Sequence, residues 1–139
     1  MSPTGQHFVT FGFGDRQIRL FNFRTGKLIK KYDESLESQS EIQQNGTSAA
    51  VKLDDMEFGR RLAIDREIGK TRGGQSATVN VVFDETGNFI LYPTLVGIKV
   101  LNIHTNKIVR IIGKGESSRF MNISLYQGAP KKKAVVTLV

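Results

Sequence analysis

Apolar and polar residues alternate along two separate stretches of this chain, and a period of two places successive side chains on opposite faces of an extended backbone. In the first stretch the pattern covers Gln6-His7-Phe8-Val9-Thr10, then Ile18-Arg19-Leu20-Phe21-Asn22-Phe23, then residues 27–32. In the second it covers Asn88-Phe89-Ile90-Leu91-Tyr92, Ile98-Lys99-Val100-Leu101-Asn102-Ile103 and residues 107–112, preceded by the apolar run Val79-Asn80-Val81-Val82-Phe83. The two stretches repeat one another. Ser2-Pro3-Thr4-Gly5 aligns with Asp84-Glu85-Thr86-Gly87, and after a two-residue slip Ile18, Asn22, Thr25 and Lys27 align with Ile98, Asn102, Thr105 and Lys107. Thr25-Gly26 and Thr105-Asn106 read as tight turns, because Gly and Asn accept the positive φ a hairpin needs. The pattern predicts a three-stranded antiparallel meander followed by a four-stranded one.

Residues 33–78 between them read differently. The first part is polar and rich in Ser and Gln. The second carries helix signals: Asp54 as cap with Glu57 three residues on, i,i+4 pairs from Glu57 to Arg61 and from Arg61 to Asp65, and Gly69 as a stop. A helix is expected over residues 55–68. Its apolar face is imperfect, since Phe58 with Leu62 and Ile64 with Ile68 lie on different sides. Residues 45–50 and 71–77 are small, polar and Gly-containing, and read as joints.

Meanders of four strands that recur in sequence are the units of β-propellers. The expected fold is therefore all-β: a partial WD-repeat β-propeller of about two blades with a helical insertion. Residues 1–33 form an incomplete blade, 34–78 the insertion, 79–113 a complete blade, and 119–139 the start of a further one. Both ends read as cut. The WD signature sets an aromatic residue and then an Asp near the end of a third strand, and Phe21-Asn22 and Leu101-Asn102 hold those places. Asp15 stands where such repeats carry an Asp between second and third strands, with Leu95 as its counterpart. Asp15, Phe21, Asn22, Leu101 and Asn102 are read as structural positions.

Composition narrows the functional classes. The chain has 139 residues, 39% of them hydrophobic, enough for one domain. It has no Cys, which excludes disulfides and thiolate metal sites and fits a reducing compartment. No apolar run approaches the ~18 residues that span a bilayer, and no secretory leader is visible, so the sequons at Asn45 and Asn122 read as accidental. Twenty basic against thirteen acidic residues give a net charge of +7, which suits an anionic neighbour such as RNA, with Arg60, Arg61, Arg66, Lys70 and Arg72 as the candidate contacts. Gly69-Lys70-Thr71 ends like a phosphate loop but lacks its first glycine, the place being Ile64. Gly113-Lys114-Gly115 follows a strand and reads as a loop. His7 and His104 are far apart and have no Cys to join them, and Pro130-Lys131-Lys132-Lys133 is a weak import signal. No catalytic, cofactor-binding or metal-binding residue is assigned, and no cofactor, small-molecule substrate or membrane partner is expected.

One family resemblance stands beside this reading. Arg24-Thr25-Gly26-Lys27-Leu28, Tyr32-Asp33-Glu34-Ser35-Leu36, Met56-Glu57-Phe58-Gly59-Arg60-Arg61-Leu62-Ala63, Val82-Phe83-Asp84-Glu85-Thr86-Gly87-Asn88-Phe89, Leu95-Val96-Gly97-Ile98-Lys99-Val100, Arg110-Ile111-Ile112-Gly113-Lys114 and Leu125-Tyr126-Gln127-Gly128 resemble the peptidylprolyl isomerase domain and WD repeat-containing proteins, in the same order. The resemblance implies a nuclear, spliceosome-associated protein with a seven-bladed propeller followed by a cyclophilin-type isomerase domain. This chain resembles only the later blades, and because the cyclophilin signature centred on Phe-His-Arg is absent the isomerase activity is not carried over to these residues. Residues 45–52 look like a local lengthening of the insertion. The expectation is a non-enzymatic, protein-binding scaffold of the pre-mRNA splicing machinery. The alternatives are a peptidyl-prolyl cis-trans isomerase function belonging to a cyclophilin domain, and an RNA-binding surface.

Overall fold

The computed structural model describes residues 1–12, 14–45, 53–71, 80–116 and 118–126. The first sheet is a meander of β1 (His7–Phe11), β2 (Gln17–Asn22) and β3 (Leu28–Asp33), with β2 in the centre. Helices α1 (Leu36–Asn45) and α2 (Asp55–Thr71) follow. The second sheet is a meander of β4 (Val82–Phe83), β5 (Phe89–Thr94), β6 (Gly97–Asn102) and β7 (Lys107–Ile112). All pairings are antiparallel.

The internal repeat extends to backbone detail. Register shifts fall at Leu20/Phe21 and at Val100/Leu101, one repeat apart. Gly26 and Asn106 both turn with positive φ, 72° and 61°. In each unit the Asn ending the central strand caps the next turn through its side chain: Asn22 Oδ1 accepts from Thr25 N at 3.0 Å, and Asn102 Oδ1 accepts from His104 N at 2.8 Å. Short Asn side chains are suited to such local bonds.

The two sheets pack on each other through opposite faces. The first buries Ile18 and Leu20; the second buries Ile90, Tyr92, Leu101 and Ile103, with Phe83 beside them. In the repeat Ile18 matches Ile98 and Phe21 matches Leu101, so the face that is inward in one unit is outward in the other. Each fully buried large apolar side chain contributes roughly 1.5–3 kcal/mol relative to exposure, and this shared core holds the meanders together.

The expectation of an all-β partial propeller is corrected here. Among the described residues there are two small antiparallel sheets and two helices, and both helices are built into the body. Phe58 of α2 is buried with Leu95 and Val96, and Leu36 of α1 packs against the same group. Period-two alternation reports which residues share a strand face and says nothing of how sheets are arranged or what covers them.

Helix α1 went unpredicted. Its buried residues are Gln39 and Gln43, so no apolar stripe marks it. Its local signals are Ser35, whose Oγ accepts from Ser38 N at 3.2 Å as an N-cap, and Glu37 in the first turn. Gln43 ties α1 to the approach to α2: its Nε2 donates to Leu53 O at 2.6 Å, and its Oε1 accepts from Leu53 N at 3.0 Å.

Helix α2 starts at the expected cap, with Asp54 Oδ2 accepting from Met56 N at 3.2 Å, but runs past Gly69 to Thr71. A glycine inside a helix costs only about 1 kcal/mol, too little to end one on its own. The further blade expected to start over residues 119–139 shows no strand at 119–126. Instead, Asn80 clamps that segment with its side chain, Nδ2 donating to Ile123 O at 2.7 Å and Oδ1 accepting from Ile123 N at 2.8 Å. Val79, the joints at 46–50 and 72–77, Pro130-Lys131-Lys132-Lys133 and the rest of that further blade, residues 127–139, lie outside the described residues.

Candidate functional site

The densest chemistry lies where the helices meet the sheets, in two adjoining clusters of buried charge. The first is centred on Glu34, just after β3. Its Oε1 accepts from Lys99 Nζ at 3.0 Å and from Gln39 Nε2 at 2.6 Å, and its Oε2 accepts from the Tyr92 hydroxyl at 2.7 Å. Lys99 also donates to Gln39 Oε1 at 3.3 Å. Its side chain is only 4% exposed and that of Glu34 10%. Burial, followed by the negative charge of Glu34, raises the Tyr92 hydroxyl well above the usual tyrosine range. Tyr92 is therefore a fixed donor.

The second cluster is centred on Asp65 of α2, whose side chain is 2% exposed. Asp65 accepts from Arg16 at 2.5 Å and from Arg119 Nε at 2.6 Å, and Arg119 also donates to Phe120 O. Two distant parts of the chain, at Arg16 and Arg119, thus converge on one carboxylate. The expected pair from Arg61 to Asp65 does not form. Arg61 keeps its bond to Glu57, at 2.6 Å, and spends its other donors on main-chain carbonyls, Leu95 O at 3.3 Å, Lys114 O at 2.8 Å and Glu116 O at 2.8 Å.

A cavity between the clusters, lined by Phe11, Arg16, Gln39, Tyr92, Thr94 and Arg119 among others, has a volume of about 20 Å³, room for a single water. Two larger depressions are open to solvent. One, about 660 Å³, lies beside α1 with Asp33, Glu37, Glu41 and Arg66 on its walls, and the other, about 670 Å³, lies beside His7, Phe23 and Arg24. Among the described residues no three His, Cys, Asp or Glu side chains converge as metal ligands would. Nor is any helix there long and apolar enough to cross a membrane.

The residues singled out in the sequence fall as follows. Asp15 binds Arg19, Oδ2 to Nη2 at 2.7 Å, and takes Gln17 N at 3.0 Å, and these bonds hold its carboxyl below the usual range. Phe21 stacks on Phe8 with centroids 4.9 Å apart, and Leu101 is buried. The basic set is not brought together as one surface. Arg61, one of the candidate contacts, is buried at 8% exposure. Arg60 is ion-paired with Glu57 at 2.7 Å, and Arg66 is exposed. Lys70 belongs to the last turn of α2 and Arg72 lies outside the described residues. Sequence reasoning missed Glu34, Gln39, Tyr92, Lys99 and Arg119, and gave Asp65 the wrong partner. The only signal for them was a Lys at the centre of a predicted strand, whose inward face has to supply an anion.

No family model matches the chain. The relatives it resembles are peptidyl-prolyl isomerases by name. Peptidyl-prolyl cis-trans isomerase cyp15 of Rhizopus delemar is 58% identical over 137 residues, 99% of this chain and 21% of its own length. Peptidylprolyl isomerase domain and WD repeat-containing protein 1 of Homo sapiens is 47% identical over 138 residues, 99% of this chain and 20% of its own. Peptidyl-prolyl cis-trans isomerase CYP71 of Arabidopsis thaliana is 44% identical over 136 residues, 97% and 21%. The chain thus spans about a fifth of the length of the curated relatives it matches.

These matches correct the expectation of a non-enzymatic scaffold confined to WD-repeat blades and set apart from the isomerase. The proteins that match nearly all of this chain carry the isomerase name. The absence of a Phe-His-Arg triplet, on which that expectation leaned, is evidence about one motif only.

Proposed function

We propose that this chain serves a peptidyl-prolyl cis-trans isomerase, contributing its sheets and helices to a protein that accelerates rotation about X–Pro bonds. The observation that supports the reading is the 58% identity, over 99% of the chain and 21% of the relative, to a protein of that name. The chemistry asked for is modest in kind. The barrier to peptide rotation is about 18–20 kcal/mol, and uncatalysed X–Pro exchange takes tens to hundreds of seconds. No covalent bond is made, so catalysis consists of binding the twisted amide more tightly than the planar one.

In this reading the buried clusters of Glu34 and Asp65 position helices against sheets. Protein partners and residence in the nucleus, which the resemblance implies, belong to the same proposal. The test is exchange of an X–Pro peptide followed by NMR in the presence of the longer protein that carries this segment. Acceleration over the uncatalysed rate is expected, and an unchanged rate overturns the reading. The same assay on the 139-residue chain apportions the activity.

A further inference from the structure

We propose that Ser38, in the first turn of α1, is a phosphorylation site for an acidic-directed serine kinase, and that its phosphate takes Arg66 of α2 as partner across the groove they share. The proposal starts from charge. The chain carries +7 overall, yet residues 32–51 contain no Lys or Arg and hold four carboxylates, Asp33, Glu34, Glu37 and Glu41. Glu34 is buried in its pair with Lys99, whereas Asp33, Glu37 and Glu41 are exposed. A kinase with a basic substrate cleft selects serines by the carboxylates around them, since complementary charge steers the encounter and a cation in the same place repels it. Ser38 meets that demand, with Glu37 before it and Glu41 three residues after. Ser40 has Gln43 at the latter place. Ser35 has Ser38 there, and its hydroxyl is already engaged as the cap of α1, accepting from Ser38 N at 3.2 Å.

The geometry supplies access and a partner. Ser38 lines the open depression of about 660 Å³ beside α1, and Arg66 is the α2 residue on its wall. Neither the Ser38 hydroxyl nor the Arg66 guanidinium has a hydrogen-bond or ion-pair partner among the described residues. Helix α1 is anchored through Gln39 and Gln43 rather than an apolar stripe, so its first turn opens readily to an enzyme. In the transfer Ser38 Oγ attacks the γ-phosphorus of ATP and the bond from that phosphorus to the bridging oxygen of ADP breaks. ADP leaves, and the hydroxyl proton passes to the kinase's catalytic carboxylate. The product carries about −1.5 to −2 charges and three acceptor oxygens, which a guanidinium binds through paired donors. The helices are now tied near the other end of α1, where Gln43 Nε2 donates to Leu53 O at 2.6 Å and to Asp55 Oδ1 at 3.1 Å. A phosphate on Ser38 paired with Arg66 adds a second tie.

The test uses the longer protein that contains this chain, incubated with ATP and casein kinase II as the acidic-directed enzyme, with modified residues mapped by mass spectrometry. Phosphate is expected on Ser38, absent from that segment in S38A, and entering about tenfold more slowly in E41Q, which removes the carboxylate the kinase reads. Glu41 and Arg66 are both exposed, so E41Q and R66M leave the fold intact. Hydrogen exchange then reads the consequence: amides in the first turn of α1 and around Arg66 are expected to exchange several-fold more slowly once Ser38 is phosphorylated, and this slowing to vanish in R66M. No phosphate on Ser38, or one that enters E41Q as fast as the unmodified protein, overturns the site. Exchange that the phosphate leaves unchanged, or slows equally in R66M, overturns the pairing with Arg66.

Discussion

Replacing Lys99 by Met removes the cation from a pair that is almost fully out of solvent, Lys99 at 4% and Glu34 at 10% side-chain exposure. Met matches the aliphatic stem in length, so packing changes little while Glu34 loses the charge 3.0 Å from its Oε1. Breaking a buried pair from one side costs about 3–5 kcal/mol, because the remaining charge stays desolvated. Gln39 and Tyr92 still donate to Glu34 at 2.6 and 2.7 Å, which places the expected loss at the lower end, near 3 kcal/mol. That is a large part of the ~5–15 kcal/mol by which a domain is stable. Urea unfolding followed by circular dichroism, with K99M, E34Q and the double variant, measures it. The two single losses are expected to exceed the double-mutant loss when added, with a coupling of about 1–3 kcal/mol. A K99M loss below about 1 kcal/mol, or strict additivity, would show that the pair is not the joint between α1 and the second sheet described above.

Three further outcomes follow from named contacts. Gly97 has φ 130°, and a Cβ there would lie 2.7 Å from Ile112 O, so G97A is expected to destabilise by at least about 1–3 kcal/mol in the same unfolding assay; a neutral result would contradict the β6–β7 register. R61M removes the donor that ties α2 to the carbonyls of Leu95, Lys114 and Glu116 and is expected to cost at least about 2 kcal/mol. If instead it leaves stability unchanged and flattens the salt dependence of RNA binding, Arg61 is a surface contact after all. The Glu57 carboxyl is held at about 2 by hydrogen bonds from Arg60 and then Arg61, against an ordinary 4.5. Its folded value is depressed, so its contribution is complete above about pH 4.5 and fades as pH falls towards 2. The gap in urea midpoint between the unmodified chain and E57Q should close over that window, and a gap that does not vary with pH would contradict the pairing.

How far the fold could be read in advance follows the range of the forces involved. Strand positions come from alternation within five or six residues, and turns such as Gly26 and Asn106 from a single backbone requirement, so both were legible at Phe8, Ile18, Phe89 and Ile98. The cap at Asp54 is equally local. The arrangement of the sheets was not legible, because Ile18 and Ile98 hold identical places in the pattern while one faces the core and the other faces out. Helix α1 hid because Gln39 and Gln43 carry its buried contacts by hydrogen bonding, which hydropathy scores as surface. Asp65 was assigned to Arg61 four residues away, the nearest cation in sequence. Its actual partners, Arg16 and Arg119, are 49 and 54 residues distant and no local rule reaches them. Sequence reasoning also turned the lack of one tripeptide into an argument against an enzyme, a step that the relatives' names do not support.

The central claim is that this chain serves a prolyl isomerase, and the direct measurement is the exchange rate of an X–Pro peptide in NMR with and without the longer protein that contains the chain. The account predicts cis and trans signals exchanging far faster than the tens to hundreds of seconds of the free peptide, in proportion to added protein. Exchange at the uncatalysed rate at every protein concentration would contradict it.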